Sequence, residues 1–230
     1  MPPPEGPAYQ VDPTARYFAL DVECVATGHK HSDRAVAQIA VVDAMANPVL
    51  NVYVQPDAPV VSYLTPLTGI TQQMLQTYGV PLATALQVLR QHLPSNATLV
   101  GQNVQSDVQW LGLVEGQDFA GIVDLQGLYR VWNEQYKSFS VFSQDHLATV
   151  LLGMRLEGAE HNALFDSGKA MRLFHVYTQI RYNPQAWADA CERLMRAPPT
   201  QSFAKRNPTF EGVCMGGRKT CSCGGVFFGI

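Results

Sequence analysis

Four acidic residues and one histidine, in three separated clusters, are the residues of this 230-residue chain whose types and spacing could do chemistry. Asp21 and Glu23 lie two apart in LDVEC, Asp107 ends NVQSD, and HNALFD runs from His161 to Asp166. Carboxylate oxygens are the ligands that Mg²⁺ and Mn²⁺ prefer, and an imidazole with a pKa of about 6.5 can take a proton near neutral pH. The set predicts phosphodiester hydrolysis assisted by two divalent cations, because that reaction needs several oxygen ligands and one base.

The first cluster belongs to a predicted strand over 17–23, in which apolar and other residues alternate. Asp21 and Glu23 therefore point to one face, where two carboxylates repel each other unless solvent or a cation lies between them. The alternative is a solvated edge strand. The many apolar neighbours favour a central strand instead, in which unpaired carboxylates would be costly.

The other two clusters fall near the starts of predicted helices. Asp107 lies about one turn into a helix that follows a short apolar strand at 97–101, and Asn103, four residues earlier, is placed to cap that helix or to contact substrate. His161 stands at the start of a long helix, with Asp166 about one turn inside. Taken singly, each would more often be a surface acid or a capping residue. Only their combination favours one shared site.

These motifs, read in order as D-V-E, N-V-Q-S-D and H-x4-D, resemble those of the DEDDh family of 3′ to 5′ exonucleases. That family includes RNase T, oligoribonuclease, proofreading subunits of DNA polymerases and eukaryotic RNA exonucleases. The resemblance covers roughly residues 17–180, and LTGIT at 67–71 is similar to the family's substrate-side loop. YLTPLTGIT and DVEC look more like the eukaryotic RNA exonucleases than like the bacterial proofreaders.

The resemblance implies a role for each residue of the set. Asp21 would bridge two Mg²⁺ or Mn²⁺ ions, Glu23 and Asp166 would complete the site of the ion that carries the attacking water, and Asp107 would support the second ion. His161 would be the general base. The expected reaction releases nucleoside 5′-monophosphates from the 3′ end of single-stranded nucleic acid, with RNA favoured over DNA.

The resemblance also implies a binding site for the terminal nucleotide. Thr68 and Gly69 would bring backbone amides to it, and Ile70, Leu67 or Met74 would pack on its base. An ordinary turn before a short helix at 71–75 is an alternative that is compatible with this role.

The net charge of −3 is unevenly divided along the chain. Residues 1–180 carry nine Lys and Arg against sixteen Asp and Glu, whereas residues 181–230 carry seven against three. The basic residues of this last part could guide a nucleic-acid strand to the site, with a solvated tail as an equal alternative: Arg181, Arg193, Arg196, Lys205, Arg206, Arg218 and Lys219. We see no signal peptide and no membrane-spanning run, which predicts an intracellular protein, cytoplasmic or nuclear.

Three of the five cysteines, Cys214, Cys221 and Cys223, form C-x6-C-x-C in a glycine-rich segment. The pattern is unlike a secreted disulfide framework. It could bind Zn²⁺ if Cys191 or a histidine such as His175 supplied a fourth ligand. The alternative is a loosely packed tail of reduced thiols.

The order of predicted elements favours an α/β fold, a ribonuclease H-like mixed sheet flanked by helices with a small Cys-rich C-terminal extension. We expect a disordered proline-rich N-terminus at 1–15, the exonuclease domain at 16–196, and a linker with the Cys/Gly-rich tail at 197–230. Among the helices, one is predicted near 125–133.

Three other functions stay open at this point. The chain could be a DNA-directed exonuclease of the same mechanism, a non-catalytic module that binds 3′ ends, or a phosphatase that acts on small substrates. The sequence does not fix the oligomeric state.

Overall fold

The computed structural model describes residues 9–156, 161–217 and 219–225 of the chain. At its centre is a five-stranded mixed sheet in the order β3-β2-β1-β4-β5. The strands are β1 (Arg16–Ala26), β2 (Arg34–Val42), β3 (Pro48–Tyr53), β4 (Ala97–Gly101) and β5 (Gly121–Asp124). The first three pair antiparallel as a meander, whereas β4 runs parallel to β1 and β5 parallel to β4. The central position predicted for the strand that carries Asp21 and Glu23 is therefore the observed one.

Helices cover both faces of the sheet. They are α1 (Thr65–Thr68), α2 (Gln72–Tyr78), α3 (Leu82–His92), α4 (Val104–Leu111), α5 (Leu125–Leu128), α6 (Gln144–Leu152), α7 (Ala163–Ile180), α8 (Pro184–Arg196) and α9 (Phe203–Arg206). Two short hairpins complete the described chain, β6 (Val131–Asn133) with β7 (Ser138–Ser140) and β8 (Thr209–Phe210) with β9 (Val213–Cys214).

Successive side chains of β1 point to opposite faces of the sheet and so pack in two separate parts of the core. Phe18 and Leu20 pack on one face, with residues of α3 and α4, while Tyr17 and Ala19 pack on the other face with residues of α7. Successive side chains of a strand point to opposite faces, so a strand that is apolar at nearly every position must be covered on both sides. This confirms the predicted mixed sheet with helices on both faces.

The start of α7 is fixed by polar contacts. The Asn162 side chain accepts hydrogen bonds from the N–H groups of Leu164 and Phe165, as an N-cap does. The buried Gln38 of β2 accepts from the N–H of Ala163 at 3.2 Å through its own side-chain oxygen. The first turn of α7, which carries Asp166, is thus held against the sheet.

Two segments differ from the prediction. The helix expected over 125–133 ends at Leu128, and the chain then forms the β6–β7 hairpin, in which the rings of Trp132 and Phe139 meet edge to face at 5.3 Å. Residues 9–15, which we placed in a disordered terminus, are docked on α7: the N–H of Tyr9 donates to the hydroxyl of Tyr177, and the Tyr9 ring contacts Phe174. Residues 1–8 lie outside the described residues. No helix of the described chain is long and apolar enough to span a membrane.

Candidate active site

The predicted acidic residues meet beside the central strand β1. Asp21 and Glu23 lie on β1, opposite Ala40 and Gln38 of β2, and the β1–β2 register shifts directly after Glu23. Asp107 lies in the first turn of α4 and Asp166 in the first turn of α7. We call Asp21, Glu23, Asp107 and Asp166 the acidic cluster.

His161 joins this cluster. Ligand atoms of Glu23, His161 and Asp166 all lie within 4.8 Å of one another. His161 Nδ1 is 2.8 Å from Asp166 Oδ2, and its backbone N–H donates to the carbonyl of Leu67 at 2.7 Å. The imidazole side chain is 34% exposed, whereas the Asp166 side chain is only 5% exposed. The imidazole is therefore accessible, and its orientation is set by a buried carboxylate.

The charges of the acidic cluster oppose one another. Burial first, and then the charge of Asp166, raise the pKa of Asp21 well above its ordinary value. Burial and the charge of Asp21 likewise raise the pKa of Glu23 to about 10, with Asp166 and Asp107 adding to the effect. Burial and the charges of Asp21 and Asp124 raise the pKa of Asp107. Like charges crowded in a poorly solvated site favour protonation unless a cation compensates them.

The donor set fits divalent cations. It offers carboxylate oxygens and no thiolate, which suits the hard ions Mg²⁺ and Mn²⁺. One of the four carboxylates already has a cationic partner, since the buried Asp166 Oδ1 lies 2.8 Å from Lys169 Nζ. One lysine does not balance four crowded carboxylates, so the cluster as a whole still favours cations.

Two charged residues at the site were not singled out from the sequence. Lys169, one turn after Asp166, is 2% exposed, and its Nζ lies 2.8 Å from Asp166 Oδ1 and 2.7 Å from Asp145 Oδ1. Asp145, in the first turn of α6, lies 3.5 Å from His161 Nε2 through its other oxygen. Burial alone would lower the pKa of Lys169, but the charge of Asp166 and the hydrogen bonds that Lys169 donates to Asp145 and Asp166 raise it. The i, i+3 spacing of Asp166 and Lys169 was the available signal in the sequence.

The neighbours of His161 also set its proton affinity. The hydrogen bond to Asp166 is the largest influence and raises the pKa of His161, burial opposes it, and the charges of Asp166 and Asp145 raise it further. With Nδ1 bonded to Asp166, Nε2 is the nitrogen that faces Asp145 and the groove described below.

The loop predicted to bind the terminal nucleotide forms a turn with internal hydrogen bonds. The amides of Thr68 and Gly69 already donate to the carbonyls of Leu64 and Thr65, and the Thr68 side chain is buried. Ile70 is 1% exposed and packs in a small hydrophobic cluster that is separate from the main core. Gly69 has the left-handed conformation (φ 67°) that ends α1, which explains why a glycine is there. Backbone and side chains of 68–70 are thus used in holding the turn, a use that the resemblance did not reveal.

Leu67 is the residue of this loop that faces the site, since it lines the groove and its carbonyl accepts from His161. Asn103 is exposed in a left-handed conformation (φ 57°) at the start of α4, and its side chain donates to Ser106 Oγ at 2.7 Å rather than capping the helix N–H groups.

A groove of about 890 Å³ runs beside His161. It is lined by Leu67 of α1, by Asp145 and by the linker that follows α8. Its lining residues are Pro66, Leu67, Asp145, Thr149, Met154, Arg155, Leu156, His161, Pro198, Pro199, Thr200, Gln201, Ser202, Phe203 and Arg206. The linker predicted as a boundary therefore contributes a wall to the candidate site.

The basic residues of the C-terminal part serve different contacts. Arg206 lines the groove, together with Arg155. Arg193 donates to the carbonyl of Val150 and Arg196 pairs with Glu192, so both are engaged away from it. Arg218 lies outside the described residues.

The C-terminal cysteines meet one another and a histidine from the other end of the domain. The sulfurs of Cys214, Cys221 and Cys223 gather beside Nδ1 of His31, which lies in the β1–β2 loop, and all four ligand atoms lie within 4.8 Å of one another. We call these four residues the thiol cluster. The fourth ligands considered from the sequence lie elsewhere: Cys191 on α8 packs against the α7 side of the core and the ring of His175 contacts Phe174. None of the five cysteines forms a disulfide.

Residues 18–174 match the model of the RNase T family, described as an exonuclease. The match covers most of the chain and includes all three clusters of motifs. The chain belongs to this exonuclease family. The nuclease activity class expected from the motifs is thereby confirmed at the level of the family.

Curated relatives carry names of RNA-degrading enzymes. The chain is 28% identical to "Small RNA degrading nuclease 3" of Arabidopsis thaliana over 189 residues, which is 81% of this chain and 23% of that protein. It is 30% identical to human "RNA exonuclease 4" over 183 residues, 80% of this chain and 41% of that protein. The chain thus spans less than half the length of either relative.

Solved structures of exonuclease modules share the fold. The Neurospora crassa Pan2 catalytic unit matches with a TM-score of 0.66 and 19% identity, over 82% of this chain and 31% of that chain. The Saccharomyces cerevisiae Pan2 module in complex with A7 RNA matches with a TM-score of 0.64 and 18% identity, over 83% of this chain and 32% of that chain. The predicted ribonuclease H-like exonuclease fold is confirmed.

Proposed function

We propose that this chain is a divalent-metal-dependent 3′ to 5′ exonuclease that acts on single-stranded RNA. The observation that carries the proposal is the meeting of four mutually repelling carboxylates with an accessible imidazole beside an open groove. The alternative of a module that only binds 3′ ends gains no support, since no residue of the expected set is missing. The preference for RNA rests on the names of the curated relatives.

The acidic cluster would hold two Mg²⁺ or Mn²⁺ ions, with Asp21, Glu23, Asp107 and Asp166 as ligands. When bound, these ions supply Lewis-acid stabilisation of the phosphate and raise the acidity of water. The crowding of the four carboxylates supports this assignment, because ionising them together requires compensating positive charge.

His161 would take the proton of the attacking water at Nε2. Asp166 supports this role, since its hydrogen bond holds the proton on Nδ1 and leaves Nε2 as the acceptor. Asp145, 3.5 Å from Nε2, would stabilise the imidazolium that forms, and Lys169 would keep both carboxylates in place. Water attacks the last phosphate, and the bond from this phosphate to the 3′ oxygen of the penultimate nucleotide breaks. The products are a nucleoside 5′-monophosphate and a strand with a new 3′-hydroxyl.

The groove would hold the end of the strand. It is open along its length, it joins His161 to the 198–206 linker, and it carries Arg155 and Arg206 among its lining residues. Basic side chains at such positions contact backbone phosphates without reading base identity. Asn103, exposed near Asp107, is placed to contact the terminal nucleotide.

The test is a time course with 5′-labelled single-stranded RNA and the matching DNA, in Mg²⁺, Mn²⁺ or EDTA. We expect a ladder of one-nucleotide steps that requires metal and is faster on RNA. Blocking the 3′ end with a phosphate tests the polarity, because it should slow the ladder, whereas a 5′ block should not. A preference for DNA would overturn the RNA assignment, and tight binding of 3′ ends without shortening would favour the non-catalytic module.

A further inference from the structure

The thiol cluster brings together two parts of the chain that are far apart in sequence. His31 belongs to the loop between β1 and β2, and the three cysteines belong to the C-terminal tail. His31 Nδ1 lies 3.2 Å from Cys223 Sγ and 3.3 Å from Cys221 Sγ. Cys221 Sγ is also 3.5 Å from the sulfurs of Cys214 and of Cys223.

These separations are those of a tetrahedral metal site. Zinc binds cysteine sulfur at about 2.3 Å and histidine nitrogen at about 2.0–2.1 Å, which places neighbouring ligands of a tetrahedron roughly 3.5–3.8 Å apart. The observed distances lie within a few tenths of an ångström of that range. A disulfide would need two sulfurs at about 2.05 Å, and no pair of the cluster has that geometry.

The surrounding backbone is shaped to admit the imidazole. A Cβ on Gly225 would lie 3.0 Å from the His31 ring, and one on Gly216 would lie 3.2 Å from His31 Cβ. Gly216 also has a positive φ of 71°, which side chains rarely adopt. The glycines of this segment therefore let the tail close tightly around His31.

Hydrogen bonds from outside the cluster hold its ligands. Arg34 donates to the carbonyl of Cys214 at 2.9 Å, and the N–H of Cys214 donates to the carbonyl of His29 at 2.9 Å. The N–H of Gly225 points at Cys223 Sγ at 3.4 Å, as backbone amides do toward metal-bound thiolates. Both the loop and the tail are thus fixed around the four ligand atoms.

We propose that His31, Cys214, Cys221 and Cys223 bind one Zn²⁺ ion that clips the C-terminal tail to the β1–β2 loop. Three soft sulfurs and one imidazole in a tetrahedral arrangement select zinc over the hard cations of the acidic cluster. Four protein ligands leave no open position, so the ion is structural. Each cysteine thiol loses its proton on binding, so that three thiolates coordinate the ion.

The clip fixes the linker that walls the groove. Val213 of β9 packs with Ala26 and Leu64, next to the loop that carries Leu67. The rings of Phe203 and Phe210 meet edge to face at 5.3 Å, which joins the linker to the β8–β9 hairpin. The path from the zinc ligands to the groove is therefore a continuous packed segment of the tail.

Metal content of the purified chain tests the proposal directly. The protein is incubated with ZnSO₄, freed of loose metal by gel filtration, and analysed by mass spectrometry of the elements. We expect one zinc per chain in the wild type, in Cys191→Ser, and in Asp21→Asn, which removes an acidic-cluster ligand. Cys221→Ser should lose at least nine tenths of it. A wild type without zinc, or a Cys221→Ser variant that keeps it, would overturn the assignment.

Two further measurements guard against variants that fail to fold. His31→Ala should lower zinc affinity and His31→Cys should restore it, because a fourth thiolate can replace the imidazole. Cobalt in place of zinc in the wild-type chain should give the visible absorption of tetrahedral Co²⁺ with thiolate charge-transfer bands. An octahedral cobalt spectrum would contradict the site. None of these readouts depends on nuclease activity.

Discussion

The acidic cluster and the thiol cluster each gather four ligands, but they are built in opposite ways. The acidic cluster is placed by regular elements, with Asp21 and Glu23 on the central strand and Asp107 and Asp166 in first turns of helices. The thiol cluster is placed by a loop and a glycine-rich tail. A site on the sheet is held in position without its ion, whereas a site on loops depends on its ion for shape.

The two clusters also differ in charge. Burial and mutual repulsion raise the pKa values of Asp21, Glu23 and Asp107, and His161 beside them lines the groove. The thiol cluster is closed by four protein ligands. The difference agrees with the proposal that one site does chemistry and the other fixes the linker at the groove. Damaging each site separately tests this division.

The largest effect is expected from Asp21→Asn. Loss of this carboxylate should lower kcat on RNA by about 10³-fold or more, because positioning and charge stabilisation supply most of the catalysis. Single-turnover rates with saturating enzyme measure this loss. Zinc content should stay at one per chain, and Asp57→Asn, on a surface loop, is the matched control. If Asp21→Asn kept nearly full activity, the acidic cluster would not be the catalytic site.

His161→Ala comes next. This substitution removes the proposed base but none of the carboxylates, so we expect kcat to fall by about 10²- to 10⁴-fold. Mn²⁺ binding, measured by calorimetry, should change little. His92→Ala, on an exposed helix end, is the control. Loss of Mn²⁺ binding together with activity would instead make His161 a metal ligand.

Regular periodicity is what made the acidic cluster predictable. Asp21 and Glu23 interrupt an apolar strand at period two, and Asp107 and Asp166 lie in helices whose starts are visible in the sequence. The combination of these motifs and their resemblance to a known family then favoured one shared site. The Lys169–Asp145 pair escaped detection because its members lie on two helices, and which turns of α6 and α7 face each other is decided by packing.

Loops account for the other differences. Nothing in the spacing of the cysteines selects His31, which lies 183 residues before Cys214 and joins it through the docking of an irregular tail. The binding role of 68–70 stays a prediction, and the hydrogen bonds of this turn could not be foreseen, because LTGIT shows a turn but not which of its amides are used inside it. Hydrogen-bond satisfaction of this kind depends on three-dimensional geometry.

Thermal unfolding at different pH values tests the charge repulsion within the acidic cluster. Since burial and repulsion raise the pKa values of Asp21, Glu23 and Asp107, the folded metal-free state favours their protonated forms. That stability is complete below about pH 4 and is lost as pH rises toward the raised values. In buffer freed of Mg²⁺ by gel filtration, which leaves tightly bound zinc in place, we expect Tm to fall between pH 5 and pH 8, by about 2–4 °C for each kcal/mol of stability lost, and Mg²⁺ to reverse the fall.

The same scan with Asp21→Asn provides the control. Removing one of the repelling charges should reduce the fall and make Mg²⁺ less effective. A Tm that is independent of both pH and Mg²⁺ in the wild type would contradict the proposal that the four carboxylates bind divalent cations.

Damage to the thiol cluster should affect binding more than chemistry. We expect Cys221→Ser, or the wild type after zinc extraction, to raise KM for RNA about 3- to 10-fold, equivalent to about 0.7–1.4 kcal/mol, with kcat changed less than twofold. The reason is that the linker wall of the groove would be released while the acidic cluster stays on the sheet. Cys191→Ser is the control. An equal loss in kcat would mean that the tail also positions the reacting groups.

The smallest expected effect concerns Asp145. One of its carboxylate oxygens lies 3.5 Å from His161 Nε2, and the other pairs with Lys169 Nζ. Its charge raises the pKa of His161, and the base must be unprotonated to act, so activity should increase as pH rises through that pKa. Asp145→Asn should therefore move the acidic limb of the kcat profile to lower pH, by less than about one unit, since one charge at an exposed imidazole is partly screened by solvent.

Lys169→Met tests the opposite sign. The lysine charge lowers the pKa of His161, so its removal should move the limb to higher pH. It also leaves Asp145 and the buried Asp166 without their shared partner, and the variant should lose about 3–5 kcal/mol of stability, so its profile must be recorded well below its Tm. Shifts of the same sign in both variants would show that the limb reports a different group. Opposite shifts would show that the limb reports the protonation of His161 at Nε2. They would also show that the charges of Asp145 and Lys169 tune the pKa of this imidazole.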